Sequence, residues 1–532
     1  MKLRLPHEVE SERHAAQERL DSLNDPIQRN KMGQYATPFP LARDIFEFVR
    51  DRYLTAIDGI RFLDPAVGAG AFFSALLHSV PKSRVEKAVG IEIDPQIAAI
   101  ARDLWGVWGL DVIEADFTQL PFPDDPRYNL HLVNPPYVRH HHFDRTKKRY
   151  LQTRAKTAVG LNLSGLAGLY CYFLFLAHRW LVPNGFGVWL IPSEFMDVKY
   201  GDAVKRYLIE QVSLEHIHRF DAEDVQFGNA LVSSTILIFQ KREPEQEHEV
   251  TFSLGGTLAN PRTDKRILQR QLGDITKWTS IPSKSLSNVF RSVQRLNTTK
   301  TIGDLFEIRR GIATGANEFF ILDREFAIHK AMPKQFLRPI LPSPRYLNDE
   351  KILAANDGSL HVQPSLVLLD CNLEEADLVD YPILQAYLDW GKSQGFADRY
   401  ITRHRQPWFK QENRLPAPIL CSYMSRSKSG RSGLRFFLNY SEAIATNVYL
   451  MLYPTQVIQD ACKHNENLLD ELFDLLKQAK EEYLLYEGRT YGGGLHKIEP
   501  KELARVPLPD HLLLEQIGAS PKQLVLFERN SS

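Results

Sequence analysis

Cysteine is scarce in this chain, a long apolar run is missing, and charge of either sign is not in excess. Four cysteines in 532 residues, at 171, 371, 421 and 462, are far apart and form no CxxC pair. They argue against a disulfide framework or a structural zinc site and fit a reducing cytoplasm. The N-terminus (Met1-Lys2-Leu3-Arg4-Leu5-Pro6) carries no apolar signal core, and nothing reaches membrane-spanning length, so no membrane partner is expected. Sixty-five basic residues balance 65 acidic ones, so the whole-molecule field does not favour nucleic acid and any basic surface must be local. What remains is an ordinary globular composition, 43% hydrophobic and 24% charged, in a chain too long for one core.

The organisation follows from periodicity. Residues 1–30 form a charged N-terminal extension. From about 60 to 240, short β-rich runs (60–63, 87–93, 112–115, 130–133, 186–191, 214–219 and 233–240) alternate with helical stretches (72–78, 96–105, 170–181 and 201–209). This is the pattern of a doubly wound α/β domain, placed at 31–245. A connector is expected over 246–300. A second region, 301–532, is irregular and proline-rich, with one amphipathic helix near 466–486.

Motifs sit at successive strand ends. Asp64-Pro65-Ala66-Val67-Gly68-Ala69-Gly70-Ala71-Phe72 follows a strand and opens a helix; its small residues let the backbone approach a ligand. It lacks the GxGxxG spacing and the P-loop lysine, so a phosphate cradle is not favoured. The next strand ends in Gly90-Ile91-Glu92-Ile93-Asp94, where Glu92 suits the hydroxyls of a ribose. The third ends in Asp116-Phe117, an acceptor for an amino group beside an aromatic face. Each acid alone serves equally well as a helix cap. The fourth ends in Asn134-Pro135-Pro136-Tyr137. By itself that is either a proline turn or a rigid pocket for a planar amino group, in which the Asn134 oxygen and the Pro135 carbonyl accept two hydrogens while Tyr137 stacks on the ring. The ordered set of four outweighs any one of its members.

The set resembles the S-adenosylmethionine-dependent DNA amino-methyltransferases with TaqI-like motif order, which act on adenine N6 and have a Rossmann-like catalytic domain followed by a mixed α+β target-recognition domain. In that resemblance Lys31 to Pro38 is the leading motif, with Thr37 at the cofactor. Asp64, Ala66, Gly68, Gly70, Glu92, Asp116 and Phe117 line the cofactor site, Asn134 to Tyr137 is the catalytic loop, and Phe227 stacks on the flipped base opposite Tyr137. Arg309 to Asn317, Ala445 to Tyr449 and Tyr491 to Pro509 are similar to landmarks of the specificity region. Length and order resemble the XhoI-type modification methylases, which implies a CTCGAG target and a separate cognate restriction endonuclease, since only about 30 residues precede the first motif, too few for a nuclease fold.

The resemblance implies transfer of methyl to adenine N6 in duplex DNA, with the base flipped out of the stack. Cytosine C5 chemistry would need a Pro-Cys nucleophile, and Cys171 lies in an apolar helical run. Local charge supplies two basic spans, one with Arg139, Lys147, Lys148 and Arg149 and one from Arg403 and Arg405 to Arg435, either DNA-contacting or merely solvated. His140-His141-His142 lacks partner ligands at zinc spacing, so no metal is expected. The competing readings are a protein-glutamine N-methyltransferase, disfavoured by the large C-terminal region, and a catalytically idle DNA-binding specificity module, disfavoured by the intact acids and Asn134-Pro135-Pro136-Tyr137.

Overall fold

The computed structural model describes residues 5–23, 33, 35–55, 57–221, 233–282, 300–355, 360–426, 433–479, 481–491 and 495–509. The chain divides near residue 287 into two compact units. The first is built on nine strands: β1 (Ile60–Asp64), β2 (Val85–Glu92), β3 (Leu110–Glu114), β4 (Tyr128–Val133), β5 (Leu181–Pro192), β6 (Ser213–Arg219), β7 (Ser234–Gln240), β8 (Glu249–Gly256) and β9 (Pro261–Leu268), in the order β3-β2-β1-β4-β5-β7-β6-β8-β9. β1 to β5 run parallel, and β7 is antiparallel to both of its neighbours.

Strand alternation divides the core in two. Phe62, Leu132, Val188 and Leu190 face one apolar cluster, while their chain neighbours Leu63, Val133, Trp189 and Ile191 face the other. Covering the first face are α1 (Pro6–Leu23), α2 (Phe39–Tyr53), α3 (Ala71–Ser79) and α4 (Pro95–Trp105). The second is covered by α5 (Arg145–Val159), α6 (Leu169–Ala177) and α7 (Asp202–Glu210). Strands buried on both faces read as near-continuous apolar runs, which is why they were legible. Chain order reverses at β1, between β2 and β4, so the connections from their carboxyl ends leave toward opposite faces and open a crevice there.

One expectation needs correction. Residues 246–300 are not simply a connector: β8 and β9 extend the sheet, and Val250, Phe252, Leu272, Trp278 and Ile281 join the first unit's core. β9 (Pro-Arg-Thr-Asp-Lys-Arg-Ile-Leu) is a polar edge strand, and such charge, which blunts an edge, also hides its strand pattern. The basic stretch after the loop Asn134–Tyr137 is helix α5, N-capped by Asp144, which accepts from the Lys147 N–H at 2.7 Å, and held by Leu151, Ala155 and Val159.

The second unit is mixed α+β. A five-stranded sheet takes the order Phe306–Arg310, Tyr449–Pro454, Ile419–Ser422, Phe436–Asn439, Lys351–Ile352, and a three-stranded sheet the order Ile321–Asp323, Leu366–Leu369, Leu337–Ile340. The expected amphipathic segment is two helices, Leu468–Lys477 and Glu481–Glu487. Among the described residues, no helix is long and apolar enough to cross a membrane.

Gly70 holds the turn between β1 and α3. Its φ is +86°, and an added Cβ would lie 2.6 Å from Trp105 Nε1, the atom that donates to the Ala69 carbonyl at 2.9 Å. Gly70→Ala is expected to destabilise the protein by about 1–3 kcal/mol through backbone strain and displacement of that indole. An unchanged Tm in thermal unfolding would count against this packing.

Candidate functional site

The crevice at the strand ends is wired together by carboxylates. Asp64, 2% exposed at the end of β1, accepts from the Ala66 N–H at 3.0 Å. The loop then crosses to β2, where the Val67 N–H donates to the Ile91 carbonyl at 3.0 Å and the Gly68 N–H to Glu92 Oε2 at 3.1 Å. The Asp94 N–H occupies the other Glu92 oxygen at 2.9 Å, and Asp94 itself caps α4. Gly90 makes the crossing feasible, because a Cβ there would strike the Val67 side chain at 2.8 Å. At Gly68, with φ +53°, a Cβ would instead meet nothing within 4 Å, so the loop borders open space. Ile93, 59% exposed, presents apolar surface next to Glu92.

Burial pushes the Asp64 carboxyl well above its ordinary range; the Ala66 N–H opposes this, and the charge of Glu92 adds to it. Burial raises Glu92 too, against the N–H groups of Asp94 and Gly68. Asp116 behaves differently. Burial alone would raise it, but hydrogen bonds from Thr118 and Gln119 prevail and hold it below the usual carboxylate range. Phe117 is a core residue, 3% exposed, its ring centroid 5.2 Å from that of Phe173 and 5.9 Å from that of Trp180.

The loop after β4 is fixed by the segment that precedes α2. Asn134 Nδ2 donates to the Tyr35 carbonyl at 2.8 Å and to Thr37 Oγ1 at 3.0 Å. A carbonyl can only accept, so the orientation of the amide follows from chemistry. Asn134 Oδ1 is left as an acceptor with no donor among the described residues. The Tyr137 N–H donates to the Gly33 carbonyl at 2.9 Å, and the Tyr137 hydroxyl donates to the Leu190 carbonyl at 3.0 Å. Gly33, at φ +61°, lies so close that a Cβ would fall 2.4 Å from the Tyr137 carbonyl carbon. The ring of Tyr137 has Tyr35 at 5.6 Å and the edge of Tyr170 at 6.5 Å, and burial keeps its hydroxyl protonated. Pro135 is buried and Pro136 half-buried.

Of the residues expected from sequence, Thr37 meets Asn134 directly, and Asp64, Ala66, Gly68 and Glu92 form one hydrogen-bonded loop. Phe227 lies outside the described residues, as do Lys31, Met32, Gln34 and the three glycines after Tyr491. Gly33, Tyr35 and Leu190 were not foreseen as partners of the Asn134–Tyr137 loop. They act through backbone carbonyls, which side-chain identity does not advertise. Ile93 had a signal, an apolar residue just beyond a strand end.

The basic spans are used unequally. Arg139, Lys147 and Arg149 are exposed and Lys148 is half-buried. Arg154 turns inward, donating to the Leu120 carbonyl at 2.5 Å with its guanidinium 4.4 Å from the Phe122 ring. In the second unit Arg405, expected to contact DNA, is a correction: its guanidinium donates to the carbonyls of Ala313 (2.7 Å) and Thr314 (3.0 Å) and to Gln411 Oε1 (3.0 Å). Arg435 likewise donates to the Leu347 carbonyl at 2.8 Å, whereas Arg403 is exposed. Cys171 is fully buried, and burial pushes its thiol up to about 12, so it is no nucleophile.

With this geometry in place, relatives of known type bear on the chain. Residues 115–226 match the Eco57I restriction-modification methylase model, and residues 276–527 match the C-terminal domain of Type II methyltransferase M.Eco57I. The chain is 27% identical to Type II methyltransferase M.XamI of Xanthomonas campestris pv. amaranthicola, over 92% of this chain and 87% of that protein. It is 22% identical to Type II methyltransferase M.XhoI of Xanthomonas vasicola, over 67% of this chain and 64% of that protein. The fold is similar to that of the Type IIL restriction-modification enzyme MmeI, solved in complex with DNA, with a TM-score of 0.53, 14% identity, and coverage of 93% of this chain and 69% of that one. S-adenosylmethionine is the expected cofactor, and the open space at Gly68 beside the carboxylates of Asp64 and Glu92 fits it. Catalytic and C-terminal regions therefore point the same way, and the chain belongs to the modification methyltransferases of type II restriction-modification systems, which are DNA methyltransferases.

Proposed function

We propose that the protein methylates N6 of adenine in duplex DNA at a specific sequence. The observation that carries this reading is the amide of Asn134, whose nitrogen is engaged by Tyr35 and Thr37 so that its oxygen is presented as an acceptor. Adenine N6 is a weak nucleophile because its lone pair is delocalised into the ring. Acceptance of its hydrogens by Asn134 Oδ1 and the Pro135 carbonyl favours a more tetrahedral nitrogen and places acceptors where positive charge develops. The two acceptors that hold the amide nitrogen, the Tyr35 carbonyl and Thr37 Oγ1, are already in place, so no reorganisation is needed at the moment of reaction.

S-adenosylmethionine, when bound, supplies an electrophilic methyl group. Glu92 would accept from its ribose hydroxyls and Asp116 from its adenine amino group, with Ile93 against the base and Phe117 bracing Asp116 from the core. Asp64, Ala66, Gly68 and Gly70 shape the loop beside it, and Thr37 couples that site to the catalytic amide. The target base must leave the helix to reach Asn134, and Tyr137 and Phe227 are the stacking residues for it. Arg139, Lys147, Lys148 and Arg149 are the cations assigned to phosphates near this loop. M.XamI aligns over more of this chain and at higher identity than M.XhoI, so the target needs mapping rather than adoption of CTCGAG. Methylation would protect that site from a separate cognate endonuclease.

Transfer of labelled methyl to unmethylated duplex DNA, with digestion to nucleosides, tests the reaction. Wild type should yield N6-methyladenine, and Asn134→Ala should lose activity by about 10²–10³ or more, as expected for a preorganised acceptor. Thr37→Val, which removes one of the two restraints on the amide, should lower kcat by roughly threefold to tenfold. A methylated cytosine product, or full activity in Asn134→Ala, refutes the assignment.

The buried acids predict a trade-off. Because the folded-state pKa of Asp64 is raised, its favourable contribution to stability is present at acid pH and is lost as pH rises through the folded value. Asp64→Asn should therefore raise the Tm of the cofactor-free protein at pH 7.5, with the difference closing toward pH 4, while weakening S-adenosylmethionine binding roughly tenfold. Differential scanning calorimetry across that range and equilibrium dialysis check the two halves. A Tm lowered at pH 7.5 would contradict the sign.

A further inference from the structure

The exposed surface of the second unit holds a cluster that neither family resemblance nor catalysis accounts for. Tyr400 is 75% exposed. The Arg403 guanidinium lies 5.4 Å from its ring centroid and the His404 ring 5.0 Å away, at the i+3 and i+4 positions of a short helical turn. His404 Nδ1 donates to the Tyr400 carbonyl at 2.5 Å, which leaves Nε2 as the polar edge of that ring. Arg403 makes no ion pair among the described residues, and Asp398 is the one acid between 396 and 405.

The platform under this cluster is rigid. Thr402, fully buried between these side chains, donates through Oγ1 to the Phe396 carbonyl at 2.6 Å. Phe396 stacks on Phe319 at 5.0 Å, and Arg399 pairs with Glu318 at 2.7 Å. Arg405 ties the far end of the turn to the carbonyls of Ala313 and Thr314. Gly315, at φ +85°, lies under Ile401, where a Cβ would come within 2.9 Å of the Ile401 Cβ. The motif from Arg309 to Asn317 is thus the base on which residues 399–405 are mounted. A single exposed apolar residue needs no explanation. An aromatic ring flanked by a guanidinium and an imidazole and fixed by a buried threonine and a clamped arginine is a different case, because ordering a contact surface in advance lowers the entropy lost on binding.

We propose that Tyr400, Arg403 and His404 form a contact surface for duplex DNA, Tyr400 lying against a base or sugar and Arg403 neutralising a phosphate. The proposal rests on DNA being the substrate and adds which residues of the second unit meet it. An aromatic ring backed by a guanidinium presents a flat apolar face to a sugar or a groove edge, and an arginine without an ion-pair partner beside it supplies the phosphate contact.

The test is fluorescence anisotropy with full-length protein and a labelled duplex methylated by wild type, over a series of salt concentrations, alongside equilibrium dialysis with S-adenosylmethionine. Tyr400→Ala should weaken DNA binding roughly tenfold with the slope of log K against log salt unchanged, and Tyr400→Phe should retain wild-type affinity. Arg403→Gln should weaken binding and reduce the magnitude of that slope by about 0.9, the value for one phosphate contact. Cofactor affinity and Tm should match wild type in all three, as befits exposed positions. Wild-type DNA affinity and slope in both Tyr400→Ala and Arg403→Gln overturn this surface alone. A wild-type protein that takes cofactor yet binds no duplex overturns the DNA reading, and this surface with it.

Discussion

Two hydrogen bonds from one amide nitrogen organise the strand ends around β4. Asn134 leaves the end of β4 and meets Tyr35 and Thr37, about 100 residues earlier in the chain, so the segment before α2 and the loop after β4 hold each other. The Gly33 carbonyl accepting from the Tyr137 N–H adds a third tie between the same two stretches. An asparagine side chain offers either a donor or an acceptor to a ligand. Here the choice is made by a backbone carbonyl that cannot donate, so the acceptor is what remains. In the proposed function the same contact would join cofactor and substrate chemistry, because Thr37 is both the residue expected at the cofactor and a restraint on the Asn134 amide.

The neighbouring strand ends show the cost of such preorganisation. Asp64 and Glu92 are buried carboxyls close enough for the charge of one to raise the pKa of the other, and neither has a cationic partner among the described salt bridges. Backbone N–H groups of Ala66, Gly68, Ile93 and Asp94 offset the desolvation. That arrangement is poor for stability and suitable for a ligand that brings hydroxyl or amino donors and a positive charge. Asp116 contrasts with it: Thr118 and Gln119 satisfy it internally, so it stays ionised without a ligand.

Much of the first unit was legible because its strands are apolar on both faces and end in chemically marked residues. All seven strands expected between 60 and 240 are present, and the acids fall at their carboxyl ends. Legibility failed where the chain uses polar residues for structure. β9 was hidden by Arg262, Asp264, Lys265 and Arg266 on an exposed edge, and α5 by its run of lysines and arginines. It failed also where backbone atoms do the chemistry, since nothing about Leu190 announces that its carbonyl will hold the Tyr137 hydroxyl. In the second unit local pattern gave only an irregular, proline-rich region with one amphipathic segment, the mixed α+β character being implied by the resemblance, and strand pairing between segments more than 100 residues apart, such as Phe306–Arg310 with Tyr449–Pro454, is not encoded in any local period.

Arginine shows the limit of counting charge. Arg154, Arg405 and Arg435 all fall in spans that look like nucleic-acid surface, yet each guanidinium donates to backbone carbonyls of loops in its own unit. Five donors on a planar fork make arginine good at bridging irregular loops, and a domain rich in loops uses it for that. A chain with no net charge can still present a DNA-binding face, because what matters is which cations lack an internal acceptor. By that criterion Arg405, Lys410, Arg414 and Arg435 drop out of the second unit's basic span among the described residues, whereas Arg403 stays in it. The internally bonded Arg405 becomes the reason the neighbourhood of Arg403 is rigid: one arginine fixes the turn, and the next one along it is left to meet the partner.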